Sequence, residues 1–148
     1  MDNQNKIERS FGIKLIAVIN GIAAVLHLLF WIFAFFHLSK SVPQNNIAEK
    51  ANLGTSFGFG LADVIWSITL LTVGSINLWN MKQSGWLAAQ FANVLYWYSL
   101  TVILTKDLIT SSISPGTILF LPFGIFSFWA AYYMWKFRDN FFKQNSTA

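Results

Sequence analysis

Residues 53–81 read LGTSFGFGLADVIWSITLLTVGSINLWNM, from Leu53 to Met81, with a single charged side chain, Asp63. A span across the ~30 Å hydrocarbon layer needs ~20 mostly apolar residues, and this stretch exceeds that. Three further runs have the same character: Leu15–Leu38, Gly85–Thr105 and Pro115–Trp135. None of those three holds an acidic residue, lysine or arginine. The pattern predicts an all-α, integral membrane four-helix bundle. It should run antiparallel, up and down, as one transmembrane domain over 1–148. The spans fall at about 12–38, 55–81, 85–105 and 115–137 by the length rule.

Composition agrees. Charged residues make up 11% of the 148-residue chain, against about 25% in soluble domains. Four spans and their connections use the whole length, which leaves no room for a soluble catalytic domain. There is no cysteine, so disulfides, thiolate metal sites and thiol-exchange chemistry are excluded. The first span is longer than a signal-peptide core. Its exit, His37-Leu38-Ser39-Lys40-Ser41-Val42-Pro43, lacks a small-x-small cleavage pattern, so it is expected to be retained.

The net charge of +4 reflects topology rather than nucleic-acid binding, because the basic residues sit at the borders of the runs. With a cytoplasmic N-terminus, Lys6, Arg9, Lys14, Lys82, Lys136, Arg138 and Lys143 face inward. Lys40, Lys50 and Lys106 face outward. The positive-inside rule then predicts N-in, C-in in a cytoplasmic (inner) membrane. Trp79, Trp86 and Trp135 gather at the same border as an aromatic belt. The hairpin Lys82-Gln83-Ser84 makes spans two and three antiparallel neighbours.

Helix one should begin near Ser10. Ser39–Ser56, with Pro43, Asn45 and Asn46, reads as a loop, a short surface helix over Ile47–Leu53 being the alternative. Ser114-Pro115 is a helix start with a capping hydroxyl and proline at the first helical position. Pro122 cannot donate to the Ile118 carbonyl and predicts a kink. Gly54-x-x-x-Gly58 has the form of a helix-packing pattern.

Helical spacing separates the faces. Leu15, Val18, Ile22, Leu26, Leu29, Phe33 and Phe36 should look outward. Ala17, Asn20, Ala24, His27, Trp31 and Ala34 should look into the bundle. Gly60, Asp63, Ser67, Leu70, Gly74 and Asn77 share a face, as do Trp86, Gln90, Asn93, Trp97 and Thr101. Gly124, Ser127 and Ala131 form a small-residue groove. At ~1.5 Å of rise per residue, Asn20, Asn77, Gln90 and Asn93 reach similar depth and suggest a structural polar layer of amides. His27, Trp31, Asp63, Ser67, Trp97 and Thr101 frame a candidate ligand pocket.

An ionisable residue at such depth is a functional hypothesis by default. Asp63 could be protonated, or hydrogen-bonded to His27 or Ser67, and only lock the bundle; it could frame a pocket for a lipophilic ligand; or it could handle protons or cations. His27 and His37 lie ten positions apart on different faces, which disfavours a shared metal or haem. There is no catalytic triad, carboxylate pair, metal-ligand cluster or phosphate-binding glycine loop in the sequence, so no enzyme activity is expected. Small multidrug transporters carry an acidic residue in span one, and this chain has none there.

Three segments together carry a resemblance. They are Phe11-Gly12-Ile13-Lys14-Leu15-Ile16-Ala17, the hairpin Asn77–Ala88, and Tyr132-Tyr133-Met134-Trp135-Lys136-Phe137 with Phe141-Phe142. They resemble a widespread group of small four-helix bacterial integral membrane proteins of unknown function. Members commonly show a proline near Phe11, where this chain has Ser10. The resemblance implies the four-helix fold and no functional residue. The leading expectation is an accessory protein that associates with other membrane components or with itself. The alternative is a binding module for an isoprenoid, pigment, haem or lipid within the bundle. A small transporter using Asp63 is third.

Overall fold

The structure, a computed structural model, describes residues 10–40 and 46–142. Lys6, Arg9 and Lys143 of the charge count, and Pro43 and Asn45 of the first loop, lie outside the described residues. Helices α1 (Phe11–Leu38), α2 (Ile47–Ala62), α3 (Thr69–Trp79), α4 (Gln83–Thr110), α5 (Pro115–Lys136) and the short α6 (Asp139–Phe142) follow in order. A π-helical turn, Asp63–Ile68, joins α2 to α3 without a break. The result is four helices long and apolar enough to cross a membrane: 11–38, 47–79, 83–110 and 115–136.

Local chemistry explains the ends. Ser10 caps α1 by accepting from the Ile13 amide at 3.4 Å. Asn46 caps α2, its Oδ1 accepting from Ala48 at 3.0 Å and Glu49 at 3.4 Å. The second long helix therefore starts at Ile47, and the predicted loop through Ser56 is much shorter than expected. Asn46 is one of the strongest capping residues, and no helix breaker of the proline kind follows it. Helix α3 closes with paired bonds from Met81 N to Leu78 O and from Lys82 N to Asn77 O. This is a Schellman ending, with Met81 in the left-handed region at φ 54°. Gly85 makes the tight hairpin possible, since a Cβ there would stand 2.3 Å from the Asn77 carbonyl carbon and the Leu78 nitrogen.

Helix α5 starts at Pro115 as expected, but its capping differs. The Ser114 hydroxyl does not cap the backbone. Asp107 does the work from the end of α4, accepting from Ser114 N at 3.0 Å and from the Thr117 hydroxyl. Helix α5 runs continuously across Pro122, which is exposed.

Helix α1 packs on α3, α3 on α4, and α4 on α5, while α1 and α5 meet only lightly. Both long-helix borders near Phe11 and Lys136 lie at the hairpin end. There Ile13, Ile16, Leu78, Trp86, Met134 and Phe141 make a tight core. A second cluster around Ala23, Leu71, Ala92 and Tyr96 fills the middle. Toward the loop end, beyond Trp31 and Leu100, α1 and α4 bury no further residue. The helices part there and leave a pocket.

The outward stripe of α1 is exposed or half-exposed, and Ala17, Asn20, Ala24, His27 and Trp31 are buried. On the second long helix Gly60, Asp63, Ser67 and Gly74 are buried as expected, but Leu71 and Leu78 replace Leu70 and Asn77. Leu71 and Leu78 stand four residues after Ser67 and Gly74, so the buried line Asp63, Ser67, Leu71, Gly74 and Leu78 keeps ordinary three- and four-residue helical steps. Among the described residues, nothing lies within 4 Å of a Cβ placed on Gly54 or Gly58. That pair is not a packing motif within this chain.

Candidate functional site

Trp31 and Asp63 meet where α1 crosses the start of the π turn. The Trp31 indole Nε1 donates to Asp63 Oδ2 at 3.0 Å, and the Ser67 hydroxyl donates to Asp63 Oδ1 at 2.9 Å. Both carboxyl oxygens thus accept one bond each, and Asp63 is only 8% exposed. Gly60 permits this approach. A Cβ there would lie 2.5 Å from the Trp31 ring and 2.7 Å from Phe35, so any larger residue would drive the indole away from the carboxyl group.

His27 sits on the opposite wall. Its Nδ1 lies 2.8 Å from the Ala23 carbonyl. A carbonyl oxygen accepts only, so Nδ1 carries the proton and Nε2 is left as the acceptor of the neutral ring. Tyr96 brings its hydroxyl to 3.5 Å from the same Nδ1. Phe120 stacks on the imidazole at 4.2 Å between centroids. His27 and Asp63 share no hydrogen bond. They face one another across a cavity of about 10 Å³, lined also by Ser67, Tyr96, Ser99 and Phe120. That is room for about one water molecule, with polar partners on several sides.

Above this cavity the helices part around a pocket of about 410 Å³. Its floor is formed by Phe30, Trp31, Asp63, Val102 and Phe120, and its walls by Phe33, Ala34, Phe59 and Ile103. Toward the loop end it is lined by His37, Lys106 and Ser114. Asp63 also borders a separate crevice of about 340 Å³ between α2 and α4, next to Phe59, Trp66 and Tyr98.

Of the six expected pocket residues, Trp31 and Asp63 line the pocket, and His27 and Ser67 line the small cavity beneath it. Trp97 and Thr101 are elsewhere. Trp97 donates to the Ser127 hydroxyl at 2.7 Å and stacks on Phe128. Thr101 is exposed, and its hydroxyl returns to the Trp97 carbonyl at 2.8 Å. A threonine that satisfies itself one turn back has no need to face inward. Sequence spacing missed Tyr96 and Phe120. Both are aromatic among many aromatics, and only the packing selects them.

The four amides do not form one layer. Gln90 donates to the Ala131 carbonyl at 3.2 Å, and Asn93 to Gln90 Oε1 at 3.4 Å. Asn77 closes the hairpin by donating to the Ser84 hydroxyl at 3.1 Å. The Nδ2 of Asn20 is buried without a partner among the described residues. The reason is rotational. Trp86, Gln90 and Trp97 all donate to α5, so this face of α4 looks toward α5 and away from α1 and α3.

Among the described residues, no group of three or more His, Cys, Asp or Glu side chains could hold a metal ion. Compared with known proteins, the chain matches no family model, no curated protein and no solved structure.

Proposed function

We propose that this chain is a multi-pass protein of the cytoplasmic membrane, N-in and C-in, that binds a lipophilic small molecule in the pocket at its loop end. The observation that carries this reading is the pocket itself. A volume of about 410 Å³ falls within the ~300–1,000 Å³ range of small-molecule sites. Its walls are aromatic and aliphatic, with a few polar groups fixed at the floor and toward the loop end, as such sites require. The reading needs no catalytic step. An isoprenoid, a linear pigment or a lipid tail suits the shape. A haem ligated by His27 does not, since the free space beside that ring is only about 10 Å³.

Association with membrane partners or with a second copy is the competing reading. It draws support from exposed aromatics such as Phe33, Trp66 and Tyr132. Lipid covers such residues equally well, so the pocket is the more specific feature. The resemblance to small four-helix bacterial membrane proteins supports the fold and carries no function.

The test is binding of the neutral lipophilic dye Nile red to the purified protein in mild detergent, with native mass spectrometry of the same sample. Saturable binding at one site, lost in Ala34→Trp while the melting temperature holds, is the expected result. Ala34 lines the pocket and is half-buried, so a large side chain there fills it. Binding unchanged in that variant, or no binding at all, removes the proposal.

A further inference from the structure

We propose that the ligand of this pocket is a lipophilic amine, whose ammonium group is held by Asp63 within a cup of aromatic rings. The inference rests on the pocket reading above and names its ligand class.

Four observations converge. First, Asp63 lies on the pocket floor, 8% exposed, and among the described residues no lysine or arginine pairs with it. A buried carboxylate without a counter-ion is costly in an apolar setting, and a ligand cation supplies one. Second, its present partners are neutral donors, Trp31 and Ser67, one on each oxygen. An ionised carboxylate has about four acceptor sites, so about two remain for N–H donors of a ligand. The basic ring across the small cavity, His27, already gives its Nδ1 proton to Ala23. Third, Phe30, Trp31, Phe59 and Phe120 line the same space. Aromatic faces attract an ammonium group, most strongly where water is excluded. Fourth, Lys106 lines the pocket toward the loop end. Its like charge disfavours an ammonium group there and directs that group to the floor, with the apolar tail toward Phe33 and Ile103.

The experiment uses the full-length protein in mild detergent and three probes with one twelve-carbon chain: dodecylamine, dodecanol and dodecanoate. Each is titrated against bound Nile red at neutral pH. On the wild-type chain, dodecylamine should displace the dye at least about tenfold more tightly than the alcohol or the carboxylate, a change of one decade in dissociation constant. In Asp63→Asn the ratio of amine to alcohol affinity, both read on that variant, should fall to about one. If Asp63→Asn does not fold, the wild-type order of the three probes decides. Equal displacement by amine and alcohol, or dodecanoate as the tightest, overturns the amine assignment and leaves the pocket standing. Failure of Nile red to bind the wild-type chain removes the pocket reading, and the amine assignment with it.

Discussion

The indole Nε1 of Trp31 donates to Asp63 Oδ2 at 3.0 Å across 32 residues of sequence. The bond fastens the first long helix to the π turn of the second. It also sets the boundary between the small cavity beside His27 and the larger pocket above, since Asp63 borders both.

Replacing Trp31 by phenylalanine keeps a ring against Gly60 and deletes the donor. Asp63 Oδ2 then loses the indole donor that it accepts from in a buried position. A lost bond to a buried carboxyl group costs about 1–3 kcal/mol. Thermal unfolding in detergent should show a clearly lowered midpoint, and an unchanged midpoint would mean that water replaces the indole at no cost.

Asn20 offers the opposite sign. Its Nδ2 is buried and, among the described residues, unpartnered, and on α4 Gln90 donates to α5 while Asn93 donates to Gln90. Asn20→Leu should be neutral, or stabilising by up to about 1–3 kcal/mol, as an unsatisfied polar group is removed. Were Asn20 part of an interhelical amide layer, the same change would destabilise. The direction of the shift in melting temperature separates the two.

Gly85 and Gly58 form a matched pair. A Cβ at position 85 would overlap the Asn77–Leu78 backbone at 2.3 Å, whereas position 58 is open. Gly85→Ala should therefore cost about 1–3 kcal/mol, the range for overpacking. Gly58→Ala should be neutral or slightly stabilising, because it lowers the entropy of the unfolded helix. Equal effects at both sites would contradict the hairpin geometry.

Asp107 holds the start of α5 through Ser114 and Thr117. Asp107→Ala should speed amide hydrogen exchange at Gly116 and Thr117 while leaving the hairpin end protected. Asp107→Asn should fall between, because an amide oxygen accepts the same bonds without the charge. Exchange unchanged at those two amides would show that the turn stands without the carboxylate.

Periodicity made much of this legible. The buried line Ala17, Asn20, Ala24, His27 and Trp31 follows from small and polar residues recurring at three- and four-residue intervals. The helix start at Ser114-Pro115 follows from the fixed φ of proline. The face of α4 was legible as a face, but not its direction. Trp86, Gln90 and Trp97 satisfy themselves on α5, and one sequence does not say which neighbour a polar stripe meets.

Four long apolar helices, their antiparallel order and the isolation of Asp63 follow from length, apolarity and short connections, all of which depend on local chemistry. The expected Ser67 contact of Asp63 follows from a four-residue step along one helix, whereas its Trp31 contact depends on packing between helices. Gly60 admits the Trp31 indole, and the parted loop end opens a pocket over Trp31 and Asp63. These depend on how the four long helices pack at one end, which no spacing within a single helix encodes. The lone acidic residue of residues 53–81 is thereby placed on the floor of that pocket, bound to two neutral donors.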